Sequence, residues 1–163
     1  MVTYVYPGTF CPPHYGHADI ARRIASIAGK VTVICSVNPE KNNVWFTPQE
    51  CKEMWKAYAL GDNVEIMTFD EFEWAGKGTI VMVRGIRDEK DLAFEKQVLE
   101  YNRKEYGIEN YHYIISRQRY LDFSSTKARL MAVNGDVGEL EKVVDPRIAA
   151  KMIERAKTVG ARI

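Results

Sequence analysis

Short apolar runs alternate with longer amphipathic stretches along the chain. Five of these runs are rich in β-branched and aromatic residues and each predicts a strand. They are Val2–Tyr6, Val31–Val37, Asn63–Phe69, Thr79–Val83 and Tyr111–Ile115. The second run is almost continuously apolar, which is typical of a strand covered on both faces of a parallel sheet. The pattern therefore favours a parallel sheet.

The amphipathic stretches between these runs predict helices. From His17 to Gly29 the apolar residues fall mostly three and four positions apart, and the final glycine is a helix stop. Thr47, Pro48 and Glu50 have the order of a capping box and begin a helix that reaches about residue 60. Further helices are predicted from residue 88 to about 106, from about residue 124, and from residue 145 to about 160.

Five strands alternating with helices predict an open, doubly wound α/β fold, because parallel neighbours need crossover connections about as long as a helix. We expect one Rossmann-like domain over residues 1–163, with a five-stranded parallel sheet and helices on both faces. On the helix from residue 88, Leu92, Val98 and Leu99 are expected on the buried face. Sheets of this kind bind ligands beyond the carboxyl ends of their strands, where the strand order reverses.

Composition and charge narrow the class of ligand. Lys and Arg number 23 against 22 Asp and Glu, so no overall field draws the protein to nucleic acid or to an anionic membrane. No apolar stretch approaches the roughly 20 residues of a membrane span. Cys11, Cys35 and Cys51 are too few and too widely spaced for a disulfide framework, which favours reduced thiols in a cytoplasmic protein. An anionic ligand must be held by a local site.

The loop after the first strand, Gly8–His17, is a candidate site for phosphate, and we call it the H-x-G-H loop. It contains His14 and, after Gly16, a second histidine at the start of the predicted helix. Imidazoles and backbone N–H groups at the positive end of a helix suit polyphosphate. Zinc is the alternative ligand, but no third ligand cluster is visible and His112 falls on a predicted strand.

Two further elements that suit phosphate follow the fourth and fifth strands. In the arginine turn, Arg84 and Arg87 flank a glycine and offer donors to phosphate oxygens, although the same residues suit a solvated turn. The hydroxyl run Ser124–Thr126 can cap a helix or, with Lys127 or Arg129, hold a phosphate. Because the carboxyl ends of parallel strands share one edge, the three elements predict one polyphosphate site.

The three elements together resemble the H-x-G-H nucleotidyltransferase superfamily and, within it, the bacterial phosphopantetheine adenylyltransferases. The resemblance covers nearly the full length, and the arginine turn with its following helix points to that particular branch. The matching stretches are Tyr6–Phe10, Asn38–Lys41, Val83–Arg87, Asp91–Glu95, Asn102–Lys104 and Phe123–Thr126.

The resemblance implies transfer of an adenylyl group from ATP to 4′-phosphopantetheine, with Mg²⁺, giving dephospho-coenzyme A and pyrophosphate in coenzyme A biosynthesis. It implies His17, Lys41 and Arg87 as catalytic residues, no protein ligand to a metal, and a homo-oligomer that is a hexamer in that family. The acceptor would contact Thr9, Lys41, Glu73 and Arg84. The nucleotide would contact Thr9, Phe10, His14, His17, Gly85, Ile86, Arg87, Glu95, Tyr120, Leu121, Asp122, Phe123, Ser124, Ser125 and Thr126.

The sequence departs from the family pattern in two places. Cys11 stands where the family usually has aspartate, and we expect it to be a buried small residue rather than a reactive thiol. The stretch between Phe69 and Arg84 is a few residues shorter than in the family, whose members have a short helix there and use its beginning to contact the pantetheine arm. Trp74 in that stretch is either a wall of the acceptor pocket or part of the core.

Two alternatives to this function stay open at the level of sequence. Another adenylyltransferase of the superfamily, such as one that acts on nicotinamide mononucleotide, also suits the hydroxyl run, although the arginine turn argues against it. A nucleotide-binding sensor without catalytic activity is the second alternative, and Cys11 and the shortened segment are its only support.

Overall fold

The computed structural model describes residues 1–38 and 45–160. In the described residues, five parallel strands form one sheet in the order β3-β2-β1-β4-β5. The strands are β1 (Val2–Gly8), β2 (Val31–Cys35), β3 (Val64–Thr68), β4 (Thr79–Ile86) and β5 (Asn110–Ile115). The predicted five-stranded parallel sheet is confirmed, and β4 is three residues longer than predicted, so the first part of the arginine turn lies on the strand itself.

Six α-helices connect or cover the described strands. They are α1 (Tyr15–Ala28), α2 (Pro48–Trp55), α3 (Glu89–Tyr106), α4 (Ser125–Asn134), α5 (Val137–Val143) and α6 (Pro146–Val159). Short 3-10 turns cover Lys56–Tyr58, Phe69–Glu71 and Gln118–Tyr120. The predicted capping box at Thr47 is confirmed, whereas α2 ends earlier than predicted because the chain tightens into a 3-10 turn. None of the described helices combines the length and apolar character of a membrane span.

Strand order reverses between β1 and β4. From β1 the chain passes through α1 to β2 and then through α2 to β3, whereas β4 pairs with the other side of β1 and leads through α3 to β5. Crossovers between parallel strands are right-handed, so the two directions of travel place α3 on the opposite face from α1 and α2. The carboxyl ends of β1 and β4 therefore flank the topological switch point.

Alternate residues of the central strands enter two apolar cores of unequal size. The larger core lies under α1, α2, α4, α5 and α6, and it includes Val33, Val83 and the fully buried Trp55. The smaller core, on the other face, contains Val5, Ile34, Phe72 and Met82. Both α1, which begins in the H-x-G-H loop, and α4, which begins at the hydroxyl run, pack on the larger core. The loop and the hydroxyl run therefore lie on the same face of the sheet.

The prediction for the buried face of α3 is wrong. Leu92 is 47% exposed, and Val98 and Leu99 are only half-buried. The buried positions of α3 are Glu95 and Asn102, seven residues apart on one stripe of the helix. Periodicity could not identify this stripe because its centre is polar and the apolar residues flank it.

Candidate active site

Hydrogen bonds join the carboxyl ends of β1 and β4 and the segments that follow β1, β4 and β5. Arg84 Nη1 donates to the Pro7 carbonyl oxygen at 3.1 Å, and Arg87 Nη1 donates to the Phe123 carbonyl oxygen at 3.0 Å. Ser125 Oγ donates to the Pro12 carbonyl oxygen at 2.7 Å. The prediction that the three elements meet at one edge of the sheet is therefore confirmed.

His14 and His17 form a capping box from two imidazoles. His14 is the N-cap of α1, and its Nδ1 accepts from the backbone N–H groups of Gly16 at 3.1 Å and His17 at 3.4 Å. In return, His17 Nδ1 accepts from the backbone N–H of His14 at 3.2 Å. The rings stack with centroids 3.6 Å apart. Sequence reasoning missed this cap, although the spacing of three residues is that of a capping box.

The same hydrogen bonds determine how the two rings face a ligand. Burial, with the nearby Arg87 charge, lowers the pKa of His14 to about 3. Burial, then His14 and Arg87, hold the pKa of His17 well below its usual range. Both rings are therefore neutral near pH 7, and because each Nδ1 accepts a hydrogen bond, each Nε2 carries the proton. His17 thus offers one N–H donor and no positive charge.

Gly16 allows the chain to pass between two side chains at this cap. A Cβ at this position would lie 3.0 Å from His14 Cε1 and 3.4 Å from Tyr120 Cβ. The glycine of the H-x-G-H loop therefore lets the segment after β5 approach the start of α1, and it places Tyr120 beside the histidines.

Phe10 holds the H-x-G-H loop in an unusual backbone conformation. Its φ of 44° lies in the left-handed region, which costs a non-glycine residue about 1 to 3 kcal/mol. The ring is buried, with its centroid 5.2 Å from that of Tyr6 and 5.0 Å from those of His17 and Trp55. Aromatic packing offsets the strain and fixes Thr9 and Cys11 on either side.

Arg84 and Glu95 form an ion pair under the arginine turn. Arg84 Nε lies 3.0 Å from both carboxylate oxygens, and Nη2 donates to Oε1 at 2.8 Å. Burial, the largest single influence, opposes the charge of Arg84, but the hydrogen bonds to Glu95 and the Coulomb attraction of Glu95 together outweigh it and raise the pKa of the guanidinium. Glu95 is only 4% exposed, so the described contact of this predicted nucleotide residue is with Arg84.

Arg87 lies further out, and its side chain is partly exposed. Its Nε donates to Asp91 Oδ2 at 2.9 Å and its Nη2 to Oδ1 at 3.0 Å, and its side chain is 37% exposed. The hydrogen bonds to Asp91 raise the pKa of Arg87. Gly85 before it has no room for a side chain, because a Cβ would lie 2.4 Å from Ile20 Cδ1.

The hydroxyl run begins α4 at the same edge. Ser124 is the N-cap and its Oγ accepts from the Lys127 backbone N–H at 3.1 Å, which confirms the capping role considered from sequence. Thr126 Oγ1 accepts from Arg129 Nη2 at 3.2 Å. Lys127 is exposed, whereas Arg129 is buried and directs Nη1 to the Cys11 carbonyl oxygen at 2.6 Å. The charge of Arg129 thus lies behind the H-x-G-H loop.

The other predicted site residues differ in how closely they meet this edge. Tyr120 packs against Phe123 with centroids 5.3 Å apart, whereas the neighbouring Leu121 and Asp122 are exposed. Ile86 ends β4 and is half-buried. Glu73 is exposed on the segment between β3 and β4. Lys41 lies outside the described residues.

Trp74 packs against the smaller core. It is half-buried and packs against Phe72 with centroids 4.7 Å apart, at the border of the smaller core.

An acidic residue of α1 that sequence reasoning missed holds the segment after β5. Asp19 is 7% exposed, and its carboxylate contacts Arg23 at 3.4 Å and Arg117 at 3.2 Å. Arg117 precedes the turn that carries Tyr120. The sequence did contain a signal for this contact, because Asp19 is a single carboxylate on the apolar face of α1 and such a group is rarely buried without a partner.

The reversal of strand order, with the H-x-G-H loop beside it, defines a nucleotide-binding protein of the Rossmann-like class. Residues 5–131 match the family model described as cytidylyltransferase-like. A phosphopantetheine adenylyltransferase of Aquifex aeolicus (strain VF5) is 36% identical over 155 residues, which cover 93% of this chain and 94% of the relative. One of Corynebacterium glutamicum (strain R) is 31% identical and covers 90% and 95%. The chain belongs to the cytidylyltransferase-like family and, within it, to the phosphopantetheine adenylyltransferases.

Solved structures support the fold. A Plasmodium falciparum nicotinic acid mononucleotide adenylyltransferase complexed with NaAD gives a TM-score of 0.64 at 13% identity, over 99% of this chain and 97% of that one. A putative nicotinate-nucleotide adenylyltransferase from Vibrio parahaemolyticus gives 0.59 at 16% identity, over 96% and 92%. At these identities the likeness extends to the fold alone.

Proposed function

We propose that the protein is a nucleotidyltransferase that moves the adenylyl group of ATP to 4′-phosphopantetheine, giving dephospho-coenzyme A and pyrophosphate. The observation that carries this proposal is the joining of the H-x-G-H loop, the arginine turn and the hydroxyl run by hydrogen bonds at the switch point. The phosphopantetheine adenylyltransferases among its relatives support the choice of acceptor.

The chemistry needs positioning and donors rather than a general base. A phosphomonoester has a second pKa of about 6, so the acceptor phosphate already carries the charge of a nucleophile at pH 7. One of its oxygens attacks the α-phosphorus of ATP, the bond from that phosphorus to the bridging oxygen breaks, and pyrophosphate leaves with the electron pair. No covalent enzyme intermediate is required.

The neutral His17 suits the α-phosphate. Its Nε2–H donates without adding charge, and its Nδ1 is held by the backbone, so the ring is oriented before the reaction begins. Arg87 supplies positive charge from a partly exposed side chain. Thr9, Phe10, His14 and the start of α4 complete the nucleotide side.

Arg84 suits the acceptor phosphate, together with Lys41 and Thr9. In this assignment Glu95 fixes the guanidinium of Arg84, so Glu95 acts as a positioning residue. Glu73 would lie along the acceptor arm.

Magnesium enters this reaction with ATP. Among the described residues no three His, Cys, Asp or Glu side chains come together as a metal site. Phosphate oxygens are the hard ligands that Mg²⁺ prefers, and one or two carboxylates suffice beside them. We infer that the cation arrives on the nucleotide.

The test is pyrophosphate release from ATP with separate acceptors. The purified full chain is given phosphopantetheine, nicotinamide mononucleotide or nicotinic acid mononucleotide, and the His17→Ala variant is the control for contaminating enzyme. Release only with phosphopantetheine supports the proposal. Release only with a pyridine mononucleotide would overturn the acceptor, and ATP binding without turnover on any acceptor would favour a sensor.

We also propose that the protein is a cytoplasmic homo-oligomer. The outer surface of α3 and the edge strand β5 expose large apolar side chains, among them Phe94 at 51%, Tyr101 at 58% and Ile115 at 71%. A second copy of the chain is the occupant that the family resemblance implies for such a surface. Sedimentation velocity tests it, since a single monomeric species across the micromolar range would contradict an oligomer.

A further inference from the structure

Two consecutive prolines precede the first histidine of the H-x-G-H loop. Proline has no backbone N–H, so a carbonyl oxygen is the one main-chain group by which Pro12 or Pro13 can be hydrogen-bonded. Both residues are buried. Ser125 Oγ donates to the Pro12 carbonyl oxygen at 2.7 Å, and the Tyr58 hydroxyl donates to that of Pro13 at 2.8 Å. The position of this part of the loop therefore depends on two hydroxyl groups from distant parts of the chain.

Tyr58 ends the 3-10 turn after α2 and is itself held in place. It is 4% exposed, and its own carbonyl oxygen accepts from Arg22 Nη2 of α1 at 2.5 Å. Its ring packs edge-on against Tyr15 with centroids 5.4 Å apart. Burial raises the pKa of the Tyr58 hydroxyl, so this group keeps its proton and acts as a donor. Tyr58 thus presents a fixed donor to the loop.

One peptide group connects Tyr58 with the ring of His17. The carbonyl oxygen of Pro13 and the N–H of His14 belong to the same planar amide. That N–H donates to His17 Nδ1 at 3.2 Å. A hydrogen bond at the carbonyl end holds the plane of the amide, and because hydrogen bonds in a chain polarise one another, it also strengthens donation at the N–H end. The hydroxyl, the amide and the imidazole therefore form a chain of two hydrogen bonds that ends at His17.

We propose that Tyr58 is a positioning residue that acts through the Pro13–His14 peptide group and holds His17 with Nδ1 towards the backbone and Nε2–H towards the α-phosphate of the nucleotide. A buried tyrosine hydroxyl needs a partner in any protein. The partner here is the amide that orients the imidazole, which gives the hydroxyl an effect on the chemistry. The effect on turnover rests on the proposed function, whereas the effect on the ring of His17 does not.

Tyr58→Phe removes the hydroxyl and keeps the aromatic ring. The peptide group then loses one of its two hydrogen bonds, and the imidazole is held less firmly. Since misplacement of a reacting group by about 1 Å can cost on the order of 10²-fold in rate, we expect this looser hold to lower turnover on the order of 10-fold, with the KM for ATP unchanged. Tyr111→Phe is the matched control, because it removes a tyrosine hydroxyl that Asn102 bonds at 3.0 Å on β5, and its turnover should equal that of the wild type.

A double-mutant cycle tests whether the effect passes through His17. In the His17→Ala background, Tyr58→Phe should lower turnover no further, because the group that Tyr58 positions is gone. A tyrosine that only supported the fold would lower turnover by the same factor in both backgrounds. All variants are purified through an affinity tag, and circular dichroism confirms that they are folded. Equal factors in the two backgrounds, or wild-type turnover in Tyr58→Phe, would overturn the proposal.

A measurement on the ring itself does not depend on turnover. Long-range ¹H–¹⁵N spectra show which nitrogen of His17 carries the proton, and hydrogen exchange shows how firmly the His14 amide is bound. We expect the proton on Nε2 in the wild type. In Tyr58→Phe we expect faster exchange of the His14 amide and a fraction of His17 rings with the proton on Nδ1. An unchanged ring and amide would overturn the proposal.

The remaining outcomes are also decided by these spectra. If Tyr58→Phe does not fold, 3-fluorotyrosine incorporated at Tyr58 replaces it. The fluorine makes the hydroxyl a stronger donor, so the His14 amide proton should shift to lower field, and an unshifted resonance would overturn the proposal. A wild-type protein without turnover on any acceptor would count against the proposed function, and the spectra would still decide whether Tyr58 holds the ring of His17.

Discussion

Each histidine of the H-x-G-H loop has one ring nitrogen bound to the backbone and the other left for a ligand. The structural role and the chemical role are therefore on the same residue, at Nδ1 and Nε2 respectively. A variant that removes the ring removes both. Substitutions that restore only the cap can separate the two roles.

His17→Ala should lower the turnover number by a factor on the order of 10² to 10³, with little change in the KM for ATP, because one transition-state donor is lost. His17→Gln is the matched control: glutamine at the third helical position completes a capping box, so its melting temperature should approach the wild type while its turnover stays low. Steady-state kinetics and thermal denaturation measure both. Turnover near wild type in the alanine variant would contradict the role of His17.

Stability should depend on pH through these rings. The pKa of His14 is about 3 in the folded protein against an ordinary value of 6.5, so the unfolded chain binds protons more readily between these values. The free energy of unfolding should fall as pH drops below about 6.5, by up to about 1.4 kcal/mol per pH unit for each histidine. Urea denaturation at pH 7 and pH 5 measures this fall.

His14→Asn provides the comparison for the pH effect, since asparagine is a good N-cap that does not titrate. In this variant only His17 still resists protonation, so the fall in stability between pH 7 and pH 5 should be smaller. An equal fall in both proteins would show that His14 does not contribute.

At the scale of elements, the two buried residues of α3 are polar, and they contact β4 and β5. Glu95 contacts Arg84, and Asn102 donates to the Tyr111 hydroxyl at 3.0 Å. The outer side of α3 keeps large apolar residues exposed. The attachment of α3 to the sheet therefore depends on a buried ion pair at its first half.

Glu95→Gln should lower the free energy of unfolding by about 3 to 5 kcal/mol, because it leaves the buried Arg84 charge without its partner. Asp91→Asn, on the same helix, is the matched control, since its pair with Arg87 is more exposed and should cost less than about 1 kcal/mol. Chemical denaturation compares the two variants. Equal losses would mean that the pair at Glu95 is no more important than a surface pair.

Sequence predicted the elements better than it predicted their faces and ends. The five strands and the carboxyl edge followed from apolar runs and glycine punctuation. The face of α3 did not, because its buried stripe carries Glu95 and Asn102. The seven-residue α5 is too short for periodicity to show, and the Arg-Gly pair near the end of β4 has the composition of a turn although the strand continues through it.

The candidate site, too, could be predicted from the sequence only in part. The convergence of three elements could be predicted because parallel strands share an edge. The imidazole cap at His14 and the partner of Arg84 could not, because both depend on side chains that folding brings together. Cys11 is buried, as predicted.

At the scale of the whole molecule, the net charge is close to zero, although positive side chains are concentrated in one place. A net charge of +1 gives no long-range attraction, whereas Arg84, Arg87 and Arg129 all lie at one edge of the sheet. Several of the exposed large apolar residues lie on α3 and β5, on the surface that we assign to self-association.

Phe94→Asp should shift the protein towards the monomer in sedimentation velocity, because it places a charge in the apolar surface of α3. Ile27→Asp is the matched control: Ile27 is 67% exposed near the end of α1, so its substitution should leave the distribution unchanged. A wild-type distribution in the Phe94 variant would exclude α3 from the interface.

In the hydrogen bonds that join the parts of the site, the donor and the acceptor belong to different parts of the chain: the donor is a side chain and the acceptor is the main chain. The side chains of Arg84, Arg87, Ser125 and Arg129 donate, and in every case the acceptor is a main-chain carbonyl oxygen. A carbonyl oxygen is present whatever residue occupies its position, whereas the donor depends on one particular side chain. Evolutionary drift at the accepting positions can therefore leave the site assembled, and relatives should vary more freely there than at the four donors.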